Sequence, residues 1–319
     1  MRTALFLVCL LSEFALAQNC TQTVPVNVLD QKTGMAMTSL QPSVFQARMG
    51  EAALPITGLQ RVEHRRVLVL VDASASMAPK DGVGTFQKEA LDAVEETLAE
   101  LLEKLPVGTP VAYGLFNDTS VFTPEFLADT AKLRDAIAEA KKQLGRPGKG
   151  ETSLFDALHQ AMLRFGTPQP GDTIVVLTDT GENKSKMHPG TVEKELRRSG
   201  LRLALLLVQQ HTPLELTPYW DVLTSLAEDS GGPIGTIDVA DRSWLNRKDS
   251  AANREALRKF WTQEVLGGYL MQVQTPATLM KPRKWNVRIN AANNADLKRV
   301  TIQYPTKLGP CSVSTAAVH

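Results

Sequence analysis

The sequence predicts an α/β protein with a doubly wound, mostly parallel sheet flanked by helices. A small β module formed from the N- and C-terminal flanks completes it. Three observations point there. Short runs apolar on both faces, such as VLVLV at 67–71, IVVL at 174–177 and LALLLV at 203–208, suit a sheet covered on both sides. These runs alternate with amphipathic segments of helical period. The flanks instead alternate valine, isoleucine and aromatic residues with polar ones, which is the pattern of half-buried strands.

The elements follow in order. Residues 1–17, MRTALFLVCLLSEFALA, read as a secretory signal: Arg2, an apolar stretch Ala4–Leu11, and a small-residue cleavage site at Ala15-Leu16-Ala17. A membrane anchor needs an apolar run of about 20 residues, so cleavage before Gln18 is expected, with export to a periplasmic or extracellular space. Residues 18–61 form the N-terminal β segment. Residues 62–245 form the α/β domain. Within it, RVLVLV (66–71) is a strand and TFQKEALDAVEETLAELLEKL (85–105) a long helix. PVAYGLFN (110–117) is a strand, and SVFTPEF (120–126), which contains a proline, is an edge strand. Helices are expected at 129–144, 153–166, 191–200 and 218–232, and strands at 172–179, 201–208 and 234–239. A charged helix at about 250–266 opens the segment 246–319, whose strands GGYLMQVQTP, RKWNVRINA and LKRVTIQYP complete the β module.

Composition excludes some functions. Lysine plus arginine (35) nearly balance aspartate plus glutamate (34), which argues against a general nucleic-acid binder and leaves local patches open. Cys9 leaves with the signal, so the mature chain keeps Cys20 and Cys311. An even pair in an exported protein favours a disulfide; the alternative is two free or intermolecular thiols.

The candidate site begins where the first buried strand ends. DASAS (72–76) presents Asp72, Ser74 and Ser76 at alternate positions in the loop leaving the strand. Such oxygens suit hard divalent cations, chiefly Mg²⁺, but three are too few. Thr152, in GKGETSLFDAL (148–158), and Asp179, in VVLTDTGEN (175–183), are the candidates from neighbouring strand ends. In open α/β sheets ligands bind at those ends. Ser153 and Asp156 read as a capping box for the following helix, which leaves Thr152 for the metal.

With these residues in view, the chain resembles the von Willebrand factor type A (VWFA) domain, and its motif resembles that family's metal-ion-dependent adhesion site. The family pattern is D-x-S-x-S after the first strand, a distant threonine, and an aspartate in a T-D-G-like turn. Matched residue by residue, it assigns Asp72, Ser74, Ser76, Thr152 and Asp179. Met77 and the SGG at 230–232 also fit. The departure is Thr180, which makes the turn T-D-T-G. The flanking segments, VPVNVLDQKTG onward and WNVRI, look like a group of secreted bacterial VWFA-related proteins. The resemblance implies a Mg²⁺ (or Mn²⁺/Ca²⁺) site that recognises a Glu or Asp of a protein partner, without catalysis by the metal. Asp118, in LFND, is the candidate for a group supporting the site, with a loop aspartate in an Asx-turn as the equal alternative.

Other readings are weaker. Asp72 and the serines alone could cap a turn, with the β module carrying the binding and the metal site structural. GRPGKGET (145–152) has Gly150 where a phosphate loop needs Ser or Thr after its lysine, so no nucleotide is expected. A serine hydrolase using Ser74 or Ser76 lacks a base: there is no G-x-S-x-G or H-E-x-x-H motif, and His64, His159, His188, His211 and His319 show no ligand spacing. Arg197-Arg198 reads as a solvated helix end. No transmembrane segment and no nucleic-acid partner are expected.

Overall fold

The computed structural model describes residues 19–62, 65–77, 98, 105–145, 150–209, 214–238, 255–290 and 295–310. The expected signal at 1–17, nearly all of the 85–105 helix and Cys311 lie outside these described residues. In chain order the strands are β1 (Asn19–Asp30), β2 (Phe45–Met49), β3 (Ala52–Leu54), β4 (Ile56–Arg61), β5 (Val67–Asp72), β6 (Val111–Phe116), β7 (Ser120–Phe122), β8 (Thr173–Thr178), β9 (Arg202–Gln209) and β10 (Ile234–Asp238). They continue with β11 (Tyr269–Pro276), β12 (Arg283–Lys284), β13 (Asn286–Ile289), β14 (Val300–Gln303) and β15 (Lys307–Leu308). The helices are α1 (Thr130–Leu144), α2 (Leu154–Arg164), α3 (Pro189–Ser199) and α4 (Trp220–Ser230).

One six-stranded sheet, ordered β10-β9-β8-β5-β6-β7, forms the α/β domain. It is parallel except for β7, which runs antiparallel to β6. The apolar runs explain the two-sided core. Side chains alternate across a strand, so Val67, Val69 and Val71 enter one buried cluster with Leu133, Phe260 and Trp261. Leu68 and Leu70 enter the other, with Phe155, Leu158, Leu196 and Leu223. Burying each such side chain contributes about 1.5–3 kcal/mol.

Local chemistry sets the helix ends. The Asp129 carboxylate accepts the amide N–H groups of Ala131 and Lys132 at the start of α1. Pro189 sits in the first turn of α3, and Gly200 ends that helix in the left-handed conformation. Gly232, just after α4, admits no side chain: a Cβ there would lie 1.9 Å from the Leu203 carbonyl oxygen.

The flanks make antiparallel sheets ordered β14-β1-β11-β4 and β13-β2-β3, with a small β12-β15 pair. Every sheet in this module but the last joins an N-terminal strand to a C-terminal one, and its interior holds Val26, Val28, Phe45, Met271, Trp285 and Val287. The segment expected as one strand around Trp285 is split into β12 and β13. Trp285 turns inward there, and its indole N–H donates to the Pro305 carbonyl at 2.5 Å.

The module docks at the amino ends of the parallel strands. Asp229 at the end of α4 accepts from Lys307 at 2.5 Å and from Thr306. The charged helix expected to 266 is helical from 255 and widens into a π-helical segment, Phe260–Val265. Its last carbonyls are taken by two buried arginines: Arg65 donates to Val265 at 2.6 Å, and Arg202 to Glu264 at 3.2 Å. Such a wide final turn needs partners outside the helix for its carbonyls.

The chain runs from β5 to β6 on one side and later returns to β8 on the other side of β5. A crevice therefore opens at the carboxyl end of β5.

Candidate metal site

Asp72 ends β5 at that crevice and is fully buried. Its Oδ1 accepts the Ser74 amide at 2.9 Å, and its Oδ2 accepts the Thr178 hydroxyl at 2.7 Å. Register explains the second bond: Val71 pairs with Leu177, so Thr178 on β8 arrives level with Asp72. Beyond Asp72 the loop turns in a 3-10 helix, Ala75–Met77. Met77 is buried and anchors this turn in the core. Ser74 and Ser76 are held with their Oγ atoms 3.0 Å apart.

Thr152 and Asp179 reach the same place. A methyl group on Gly181 would stand 3.1 Å from Asp179 Oδ1, 3.4 Å from Thr152 Oγ1 and 3.5 Å from Ser76 Oγ. Three of the candidate oxygens therefore surround one point that glycine leaves open. Ser74 connects this group to Asp72 through Ser76. Asp118 is placed differently. It lies exposed in the turn after β6, beside Gly150, and its backbone carbonyl accepts from Ser153 Oγ at 3.5 Å. No hydrogen bond among the described residues joins its carboxylate to the other five.

The expected capping box at α2 does not form. Ser153 makes no side-chain cap, and Asp156 accepts the Lys186 and Met187 amides at 3.1 and 2.8 Å. The free amides at the start of α2 are satisfied from the loop after β8 instead. Ser185 Oγ accepts from Phe155 at 3.0 Å and from Asp156 at 3.2 Å, and Glu182 also accepts from Phe155. The same loop grips Thr152. Asn183 Oδ1 accepts the Thr152 amide at 2.8 Å, while the amides of Asn183 and Lys184 donate back to the Thr152 carbonyl at 3.1 Å. Thr178, Glu182, Asn183 and Ser185 are the supporting residues that sequence reading missed. The only trace of Thr178 is a polar residue closing the apolar run IVVLT.

Thr180 is the sole non-glycine residue with a positive φ among the described residues, at 69°. Its amide donates to Thr178 Oγ1 at 3.1 Å, its hydroxyl donates to Thr217, and the side chain is buried. The turn thus keeps the Asp179 carboxylate, which accepts the Gly181 amide at 3.1 Å, while Thr180 is held in a left-handed conformation that costs about 1–2 kcal/mol for a residue with a Cβ. Thr180→Gly and Thr180→Ala both lose the Thr217 bond, but only glycine relieves the backbone. Chemical denaturation should find the glycine variant about 1 kcal/mol more stable than the alanine variant, reversing the usual order. Equal or opposite stabilities would mean that the turn carries no strain.

Electrostatics fit a cation. Burial pushes the Asp72 carboxyl up to about 7, and the neighbouring Asp179 charge adds to the rise, against hydrogen bonds from Ser74 and Thr178. Burial also raises Asp179, against bonds from Ser76 and the Gly181 amide. No basic side chain is among the groups that shift either acid. Two carboxylates and three hydroxyls are hard oxygen donors suited to Mg²⁺, Mn²⁺ or Ca²⁺. A divalent ion here would supply the positive charge that these buried acids otherwise lack. Among the described residues, no serine-hydrolase arrangement is seen. His159 pairs with Glu195 at 2.7 Å, and His188 caps α3. No described histidine reaches Ser74 or Ser76.

Comparison with known proteins places this site in context. Residues 67–182 match the family model for the von Willebrand factor type A domain, and all six candidate residues fall inside the match. Similar solved structures include BatB from Bacteroides thetaiotaomicron, at 19% identity, covering 61% of this chain and 98% of that one, with a TM-score of 0.43. A von Willebrand factor type A protein from Catenulispora acidiphila shares 14% identity over 92% of this chain and 74% of that one, with a TM-score of 0.47. Proximal thread matrix protein 1 from the mussel byssus, with a zinc-occupied adhesion motif, shares 17% identity over 68% and 49%, with a TM-score of 0.44. No curated protein matches.

Proposed function

Because the chain carries a von Willebrand factor type A domain, a class of module generally used for protein interaction, we propose that it is an exported binding protein whose metal site captures an acidic side chain of a protein partner. Asp72, Ser74, Ser76, Thr152 and Asp179 would hold Mg²⁺ or a similar ion, and Asp118 would support their loop. What carries this reading is the gathering of Asp179, Thr152 and Ser76 around the open point at Gly181, with Asp72 buried behind them. Neutral hydroxyls supply much of the donor set, so the ion keeps affinity for an incoming carboxylate. Export rests on the 1–17 pattern; among the described residues, no helix is long and apolar enough to cross a membrane.

The test is capture of envelope or secreted proteins on the immobilised mature chain. Capture in Mg²⁺ should be abolished by EDTA and by Asp72→Ala. At sub-saturating metal it should also weaken as the pH falls through about 7, where Asp72 takes up a proton that competes with the ion. Partners retained in EDTA at full yield would refute the metal bridge.

We also propose that Cys20 and Cys311 form a disulfide closing the β module. Gln22, two residues after Cys20, donates from Nε2 to the carbonyl of Gly309, two residues before Cys311, at 3.0 Å. Thiol titration of the denatured, unreduced mature protein should find no free thiol. Two titratable thiols would dismiss the pairing.

A further inference from the structure

Charge is unevenly distributed along this chain. Residues 269–310 contain seven lysines and arginines and one acid, Asp296, although the whole protein is close to neutral. Much of that charge lies on one part of the β module. In β13, Val287 points inward and Arg288 outward; in β2, Ala47 points inward and Arg48 outward. The register sets Asn286 opposite Arg48 and Arg288 opposite Gln46, so both arginines share the exposed face of the β13-β2-β3 sheet. Lys284 lies just ahead of that sheet, exposed in β12 and paired with Lys307 of β15, and the exposed Lys281 and Arg283 precede it in the chain. None of these five cations forms an ion pair among the described residues. The acid on this sheet is Glu51, in the β2–β3 turn. Just before Lys281, Met280 is 80% exposed.

We propose that this face binds the surface of a bilayer containing anionic lipid, with Met280 entering the headgroup boundary and the cations on the phosphates. Charge alone would fit any polyanion. The exposed methionine directly beside Lys281 is what favours a bilayer, because it gains only where it leaves water. The module docks at the amino ends of the parallel strands, through Asp229 and Lys307, whereas the metal site lies at their carboxyl ends. The proposal does not depend on the metal site.

Sedimentation with vesicles tests it, using the mature chain in EDTA so that no divalent ion bridges lipid and protein. Binding is expected to phosphatidylcholine vesicles containing phosphatidylglycerol and not to phosphatidylcholine alone. It should be lost as salt rises from about 0.1 to about 1 M, where screening becomes tight. Each cation near an anionic surface contributes about fivefold in partition, so the exposed triple variant Lys281→Gln/Arg283→Gln/Lys284→Gln should bind on the order of a hundredfold more weakly. Met280→Ser should lose about fivefold. Asp72→Ala should bind vesicles as the parent does, which separates this result from the fate of the metal-bridge reading. Equal partition onto neutral vesicles, undiminished binding by either the triple or the Met280 variant, or capture of soluble heparin without capture of vesicles would overturn the proposal.

Discussion

Asp72→Ala is expected to abolish the thermal stabilisation that Mg²⁺ gives the parent protein. A ligand at about 100 times its Kd stabilises the folded state by about 2.7 kcal/mol. For a domain of this size that is roughly 5–10 °C in Tm. The variant should gain nothing. The sign of the metal-free behaviour sharpens the test. A carboxyl raised from its usual value to about 7 stabilises the fold only when protonated. That contribution is complete below about pH 4 and is lost as pH rises through about 7. The metal-free parent should therefore lose stability between pH 4 and 7, and Asp72→Asn, which keeps an acceptor for the Ser74 amide and carries no charge, should lose less. Metal reverses the trend, since it binds the ionised acids, so the Mg²⁺-dependent gain should grow over the same window. Scanning calorimetry with and without Mg²⁺ measures all of this. A Mg²⁺ response in Asp72→Ala equal to the parent's would remove Asp72 from the site.

Asp172→Ala should cost the fold about 2–3 kcal/mol, because it strands two backbone amides while the partly exposed Arg66 stays solvated. Asp172 is buried at the amino end of β8. It accepts the backbone amides of Arg66 and Gln169, each at 2.9 Å, and the Arg66 guanidinium at 3.1 and 2.5 Å. That guanidinium also donates to the Phe165 carbonyl at 2.9 Å and lies over the Phe126 and Phe165 rings. Alanine leaves two backbone amides and two guanidinium N–H groups without their acceptor, while the Phe165 and Thr167 carbonyls keep the rest of the guanidinium. Because the pair sits at the opposite end of the strands from the metal site, the surviving folded protein should keep its Mg²⁺ response. Denaturation in urea measures the loss; a cost below about 1 kcal/mol would show that water replaces the carboxylate.

The two acids illustrate what a sequence exposes. Asp72 is legible because its signal is local: an apolar run sets where the strand ends, and D-x-S-x-S places three oxygens within five residues. Asp179 closes a second such run. Asp172 also precedes a strand, yet nothing in the order of residues says that Arg66, just ahead of another strand, folds back onto it.

By itself the sequence determined the strands of the central sheet and most of the helices, because runs apolar on both faces mark covered strands and a period of 3.6 follows directly from helix geometry. It also determined the five candidate oxygen residues and the join between the two β flanks. The tertiary structure decided what depends on register between distant segments. Thr178 became the partner of Asp72 because β8 pairs with β5 level by level. Ser153 lost its expected capping role because Ser185 and Glu182 arrived from the next loop with better-placed oxygens. Thr180 took a left-handed backbone because Thr217 and Thr178 hold it there. Arg48 and Arg288, 240 positions apart, became neighbours on one cationic face because β2 pairs with β13. Each of these outcomes rests on contacts between residues far apart in the chain, whose meeting depends on the packing of the whole and on no local pattern.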